Sequence, residues 1–171
     1  MKYTINLSYK DIEYLRARFD DAQKNLNRMT DEACKRLAYI GLDKAKLHFF
    51  EAAYDGINDA KVTVKKVANG YVVKASGQSV LFIEFGAGMH YPANHPEPHG
   101  YTHGTYGKGY GKNDYWFYTG MPGNAGGELA EGRTNTTITH GNPVNMPMYT
   151  TVKDLEGEIE RIVKEVFDLY Q

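Results

Sequence analysis

Four histidines, His90, His95, His99 and His103, follow one another at near-even spacing just after the stretch VLFIEFGAG. Imidazoles so placed could serve zinc, which takes four ligands at about 2.0–2.3 Å. His99 and His103 would share a helix face, but Pro96, Pro98 and Gly100 oppose a helix there. Glu97 is the only carboxylate nearby, and no cysteine joins at a zinc spacing. The pattern favours surface-loop histidines, and no metal or other cofactor is expected.

Other chemistries fare no better. GTYGKGYGKN, residues 104–113, has the glycines and lysines of a phosphate cradle, but G-x-x-x-x-G-K-[ST] fails in both registers. Tyr110 stands where the lysine belongs in one, and Tyr106 and Asn113 break the other. The only serines are Ser8, Ser76 and Ser79, none of them in a G-x-S-x-G elbow. Cys34 falls on the apolar side of a helical pattern, the usual place of a small buried hydrophobe. Glu84 has no second acid close by in sequence, and a lysine of the neighbouring strands is its expected partner. The residues therefore predict no enzyme.

Tyrosines, lysines and glycines interleave in GYTHGTYGKGYGKNDYWFY as they do on nucleic-acid stacking surfaces. Yet Lys108, Lys112 and Arg133 are the only cations in residues 86–149, against four acids, which leaves little counterion release to drive binding. Sequence-specific nucleic-acid recognition is not expected. The same residue types make adaptable protein contacts, because Tyr covers area at low entropic cost.

The elements that must carry these residues follow from periodicity. Ser8, with Asp11 three residues on, opens an amphipathic helix whose apolar stripe, expected to face inward, is Ile12, Leu15, Phe19, Ala22, Leu26 and Met29. A second helical stripe runs from Cys34 to Ala52, and nothing between Asn27 and Glu32 forces a break, so the two could fuse into one bent helix. The period then drops to two. Val62 and Val64 alternate with lysines, Asn69-Gly70 predicts a type I′ turn, and Tyr71, Val73 and Ala75 return. Gly77-Gln78 turns again, and Ser79 to Phe85 reads as a buried third strand. DYWFYT, residues 114–119, predicts a fourth. A last helix, capped by Asn145, begins near Pro147 with Met148, Val152, Leu155, Ile159, Ile162 and Val166 on one face.

The resulting expectation is an α+β fold in one domain over residues 1–171. Helices occupy about 8–53 and a three- to four-stranded antiparallel meander 61–85. A long irregular Gly/Pro/His/Tyr-rich loop with a short strand occupies 86–145, and a C-terminal helix 146–170. Thirteen of 18 glycines and all six prolines lie in residues 86–149, a stretch too poor in aliphatics to build a core of its own. Mobility of residues 89–133 in the isolated subunit is expected on the same ground. The chain of 171 residues is long enough to need neither metal nor disulfide, and its single cysteine excludes an internal one. MKYTINLSYK lacks the apolar core of a signal peptide, and no run of 18 apolar residues predicts a membrane span. Net charge is −1, with −3 from Thr150 onward and +2 over Ile57 to Phe85, a separation that suits contact between copies and equally two solvated faces of opposite sign.

This order of parts resembles the tail-completion and head–tail joining proteins of long-tailed bacteriophages, the gene-product-ten-like group. The resemblance rests on Phe85-Gly86-Ala87-Gly88, matching an aromatic-Gly-x-Gly step, and on Gly141 with Met146-Pro147-Met148 before the last helix. It departs at Ala87, where Thr is typical, and in the length of the loop from Met89 to Arg133. It implies a non-enzymatic virion component made in the bacterial host cytoplasm. Such a component forms a ring, often a hexamer, at the neck, where it meets connector and tail proteins and no membrane. Interface residues implied on this reading are Phe85, Gly86, Gly88, Tyr91, Tyr101, Tyr106, Tyr110, Trp116, Tyr118, Met146, Pro147 and Met148. The rival readings are a small metal-dependent hydrolase or nuclease using the loop histidines, and a soluble adaptor. Replacing all four loop histidines by alanine should leave the melting temperature nearly unchanged. A large loss, reproduced by a chelator on the parent protein, would contradict the loop assignment.

Overall fold

The computed structural model describes residues 8–88 and 114–170. Its first element is one continuous helix, α1 (Tyr9–Glu51), 43 residues and about 64 Å long. The Ser8 side chain accepts from the Asp11 amide at 3.2 Å, so the expected cap forms. The helix does not break near residue 30, where Thr30 bonds back to the Leu26 carbonyl. The final helix, α3 (Pro147–Asp168), packs antiparallel along the second half of α1. Contacts run from Asp154 beside Lys44 and His48, through Ile162 and Val166 against Ala33, to Arg28 over the Tyr170 ring. Gly41 lets this pair approach closely: a Cβ there would come within 2.9 Å of Leu155.

Strands β1 (Lys61–Val67) and β2 (Gly70–Ser76) form a two-stranded antiparallel hairpin. Val62 pairs with Ala75 and Val64 with Val73, and this apolar face lies on α1. Lys65 and Lys74 point to the opposite, exposed face. The connection is Ala68-Asn69 rather than Asn69-Gly70. Neither residue has positive φ, so the turn is not type I′; Gly70 takes the positive angle at +137°.

The third strand expected over Ser79–Phe85 is a short helix, α2 (Val80–Phe85), and the meander therefore stops at two strands. Val80, Ile83 and Glu84 are the buried positions, which is the three-and-four spacing of a helix. Ser79, Gln78 and Asp59 bond to one another and turn the chain out of the hairpin after Ser76. Local β-propensity in this apolar run yields to that turn and to the packing of Ile83, which is fully buried. Phe49, Val62, Val80 and Ile83 form the main core, with Met148 of α3 against it. Each such side chain contributes about 1.5–3 kcal/mol by leaving water.

Residues 114–145 are more regular than an irregular loop with one strand. Strands β3 (Trp116–Thr119), β4 (Glu128–Leu129) and β5 (Thr136–Thr139) make a second antiparallel sheet in the order β3-β5-β4. The DYWFYT strand forms, but apart from the hairpin. Its central strand buries Thr137 and Thr139 instead of aliphatics; Thr137 donates to the Gly120 carbonyl at 2.7 Å.

Asn145 does not cap α3. The N-cap is Met146, in the left-handed conformation with φ +56°. Glu84 supplies the capping carboxylate instead, accepting from the Met148 amide at 2.8 Å and the Tyr149 amide at 3.0 Å. That is its role in place of a lysine partner on the strands, and a buried carboxylate at a helix N-terminus is favoured by the unpaired amides there. The Asn145 side chain instead brackets Ala53, accepting from its amide at 2.8 Å and donating to its carbonyl at 2.9 Å. Asn145→Ala should therefore cost about 2 kcal/mol, the penalty of stranding partly buried backbone groups. Urea unfolding of parent and variant measures it, and a change below a few tenths of a kcal/mol would contradict the bracketing role.

Candidate functional site

After Glu51 the chain leaves α1 in an extended conformation, Ala52 having ψ 134°. Residues 52–55 join no strand, so their backbone groups need other partners. Three asparagine side chains supply them. Asn145 takes Ala53 as above; Asn124 accepts from the Tyr54 amide at 2.7 Å; Asn142 accepts from the Asp55 amide at 2.6 Å. The second sheet is thereby fastened to the end of α1.

The approach is close enough to exclude side chains. A Cβ on Gly123 would overlap the Tyr54 carbonyl oxygen, and one on Gly127 would overlap the Asp55 carboxylate. On the other side Ala87 and Asn142 exchange backbone hydrogen bonds at 2.9 and 3.0 Å. Gly88 abuts the Trp116 ring, where a Cβ would come within 3.0 Å. The stretches 85–88 and 141–148 thus lie side by side.

Between these parts opens a cleft of about 480 Å³. Its walls include Tyr54, Phe82, Trp116 and Tyr118, and its acids are Asp55 and Asp59, with no lysine, arginine or histidine lining it among the described residues. Asp59 is well satisfied: it accepts from Ser79 Oγ at 2.6 Å and from the Ser79 and Gln78 amides, each at 2.9 Å. Those bonds, the Ser79 hydroxyl first, hold its carboxyl down at about 2. Asp55 is the opposite case. Its side chain is buried, and neither carboxylate oxygen has a hydrogen-bond partner. Burial raises the Tyr54 hydroxyl above its ordinary pKa, with further contributions from Asp59, Tyr118 and Asp55. The cleft is aromatic and negative.

No family model, curated protein or solved structure matches this chain.

Of the residues singled out from sequence, Trp116 and Tyr118 line this cleft. Gly86, Gly88 and Pro147 are buried in the subunit's own packing, and Phe85, Met146 and Met148 are half-buried beside them. Tyr91, Tyr101, Tyr106 and Tyr110 lie outside the described residues, as do His90, His95, His99 and His103. Among the described residues no three His, Cys, Asp or Glu side chains converge as a metal site would require. None of their helices is long and apolar enough to cross a membrane. Sequence reasoning missed Asp55, Asp59, Asn124 and Asn142 as site residues, and gave Asn145 the role of a helix cap in place of its bonds to Ala53. The cue available was YDGIND, two acids within a turn-rich step directly after a helix.

Asp59 makes a pH prediction. Its folded pKa lies below the unfolded value, so it stabilises fully above about 3.8 and loses that contribution as pH falls toward about 2. Asp59→Asn should flatten the acid limb of melting temperature against pH between those values. Parallel curves for parent and variant would contradict the assignment.

Proposed function

We propose that this chain is a structural virion protein of a phage or prophage, a head–tail joining or tail-completion component. On this reading it assembles with copies of itself into a ring between portal and tail. The support begins with the order of parts and the two motifs. The observation that carries the reading is the first half of α1. Beyond Arg28, where α3 ends, residues 9–27 extend for about 28 Å. Tyr9, Ile12, Tyr14, Phe19 and Leu26 are 51–76 % exposed there. The hydrogen bonds and ion pairs of this stretch among the described residues stay within the helix, as in Arg18 to Tyr14 and Lys24 to Asp21.

A helix with an apolar stripe gains its stability by burying that stripe, and this half has nothing of its own subunit to bury it against among the described residues. An exposed stripe of that length marks a protein-binding surface. A second copy is the occupant that a ring supplies. Charge separation adds to this. Lys61, Lys65 and Lys74 sit on the exposed hairpin face, and Glu160 on α3 is likewise exposed.

Sedimentation velocity across the micromolar range tests the reading, with negative-stain images of the assembled species. The parent should form concentration-dependent oligomers. Phe19→Glu combined with Leu26→Glu should shift them to monomer while the helical circular dichroism of residues 29–51 and α3 survives. A parent that stays monomeric and also fails to join purified phage heads or tails would sink the proposal.

A further inference from the structure

The feature that neither the fold nor the virion reading uses is the Asp55 carboxylate. The residue is 5 % exposed, and both side-chain oxygens are shielded from solvent with no donor in reach. Its backbone amide is committed to Asn142, which fixes where the side chain sits. An unpaired carboxylate held out of water is strongly unfavourable, and the usual remedy is a cation or a donor. Among the described residues nothing lining the cleft supplies the cation: the other carboxylic acid is Asp59, itself bonded by Ser79 and Gln78.

We infer that the cleft over Asp55 binds an organic cation, a guanidinium or primary ammonium group, between its aromatic walls. Three observations select this class. The carboxylate provides the charge. Tyr54, Phe82, Trp116 and Tyr118 line the cleft, and aromatic rings attract such cations. The volume of about 480 Å³ suits a flexible alkyl chain bearing the charged head. A bare metal ion fits less well, because no third ligating side chain joins the two acids among the described residues. The backbone of Gly127 packs directly against the carboxylate, with no room there for a side chain. Because both oxygens are shielded, a cation reaching Asp55 must displace part of this packing.

The same chemistry has two sources, a free amine or the Lys or Arg side chain of a second copy. The hairpin lysines Lys61, Lys65 and Lys74 are exposed and available for the latter. The inference stands apart from the ring reading, since either source fills the site.

Trp116 is the chain's single tryptophan, so its fluorescence reports the cleft directly. Agmatine and Nα-acetyl-arginine methylamide are the probes, with the uncharged citrulline analogue as control. The parent should give a saturable change with both probes and none with the control. Asp55→Asn should weaken binding about tenfold or more, because it removes the charge-assisted partner. The variant should also melt at or above the parent temperature, since it removes an unpaired charge. No saturable response in the parent, or an equal response in the variant, overturns the inference. So does a variant that melts well below the parent, which would show that the fold itself needs the carboxylate. With binding established, agmatine that disperses parent oligomers assigns the cation to a second copy, and oligomers indifferent to it assign a free amine.

Discussion

The fold depends on how four residues of extended backbone, 52–55, are satisfied without a sheet. They leave the end of a long helix with exposed amides and carbonyls and no ladder to join. Asn124, Asn142 and Asn145 act as substitute strands, each presenting an amide side chain whose carbonyl, and in two cases also its NH2, matches the backbone. Because those asparagines come from residues 124–145, the same bonds fasten the C-terminal third of the chain to its N-terminal helix. Removing one partner strands a backbone group, a larger penalty than the bond's own net worth.

Glu84 is the second such link and shows one side chain deciding two elements. Its carboxylate holds the start of α3, while its backbone carbonyl accepts from the Met146 amide. A strand over Ser79–Phe85 would place Glu84 on the face opposite Ile83. The helix puts the two on one side, so that one packs in the core while the other meets α3. Tertiary demand and not local propensity sets the conformation here.

What was legible in the sequence follows from this. The α1 and α3 helices, the two hairpin strands and the Ser8 cap are period and capping signals, carried within a few residues, whereas the turn that sets the hairpin register falls one residue earlier than Asn69-Gly70 suggests. The β3 strand was also visible from its run of aromatic residues. The helical identity of Val80–Phe85 was not, since a six-residue apolar run fits either period. The second sheet was hidden for another reason. Its close packing is achieved by Gly123, Gly127 and Gly141, and its buried face by Thr137 and Thr139. Composition alone reads those residues as loop. Asp55 was invisible as a site because most of its neighbours in the cleft, from Gln78 to Asn142, come from residues more than twenty positions away.

The threonine-and-glycine makeup of the second sheet has a calorimetric consequence. Heat capacity of unfolding rises with apolar area exposed and falls with polar area exposed. Releasing β3, β4 and β5 from residues 52–55 uncovers hydroxyls, amides and backbone, whereas separating α1 from α3 and the hairpin uncovers Phe49, Ile83, Ile162 and Val166. The two halves of the molecule therefore respond oppositely to cooling. The aliphatic contacts weaken as temperature drops, and the asparagine-pinned sheet keeps its hold. Cold loosens the helices before it loosens the sheet.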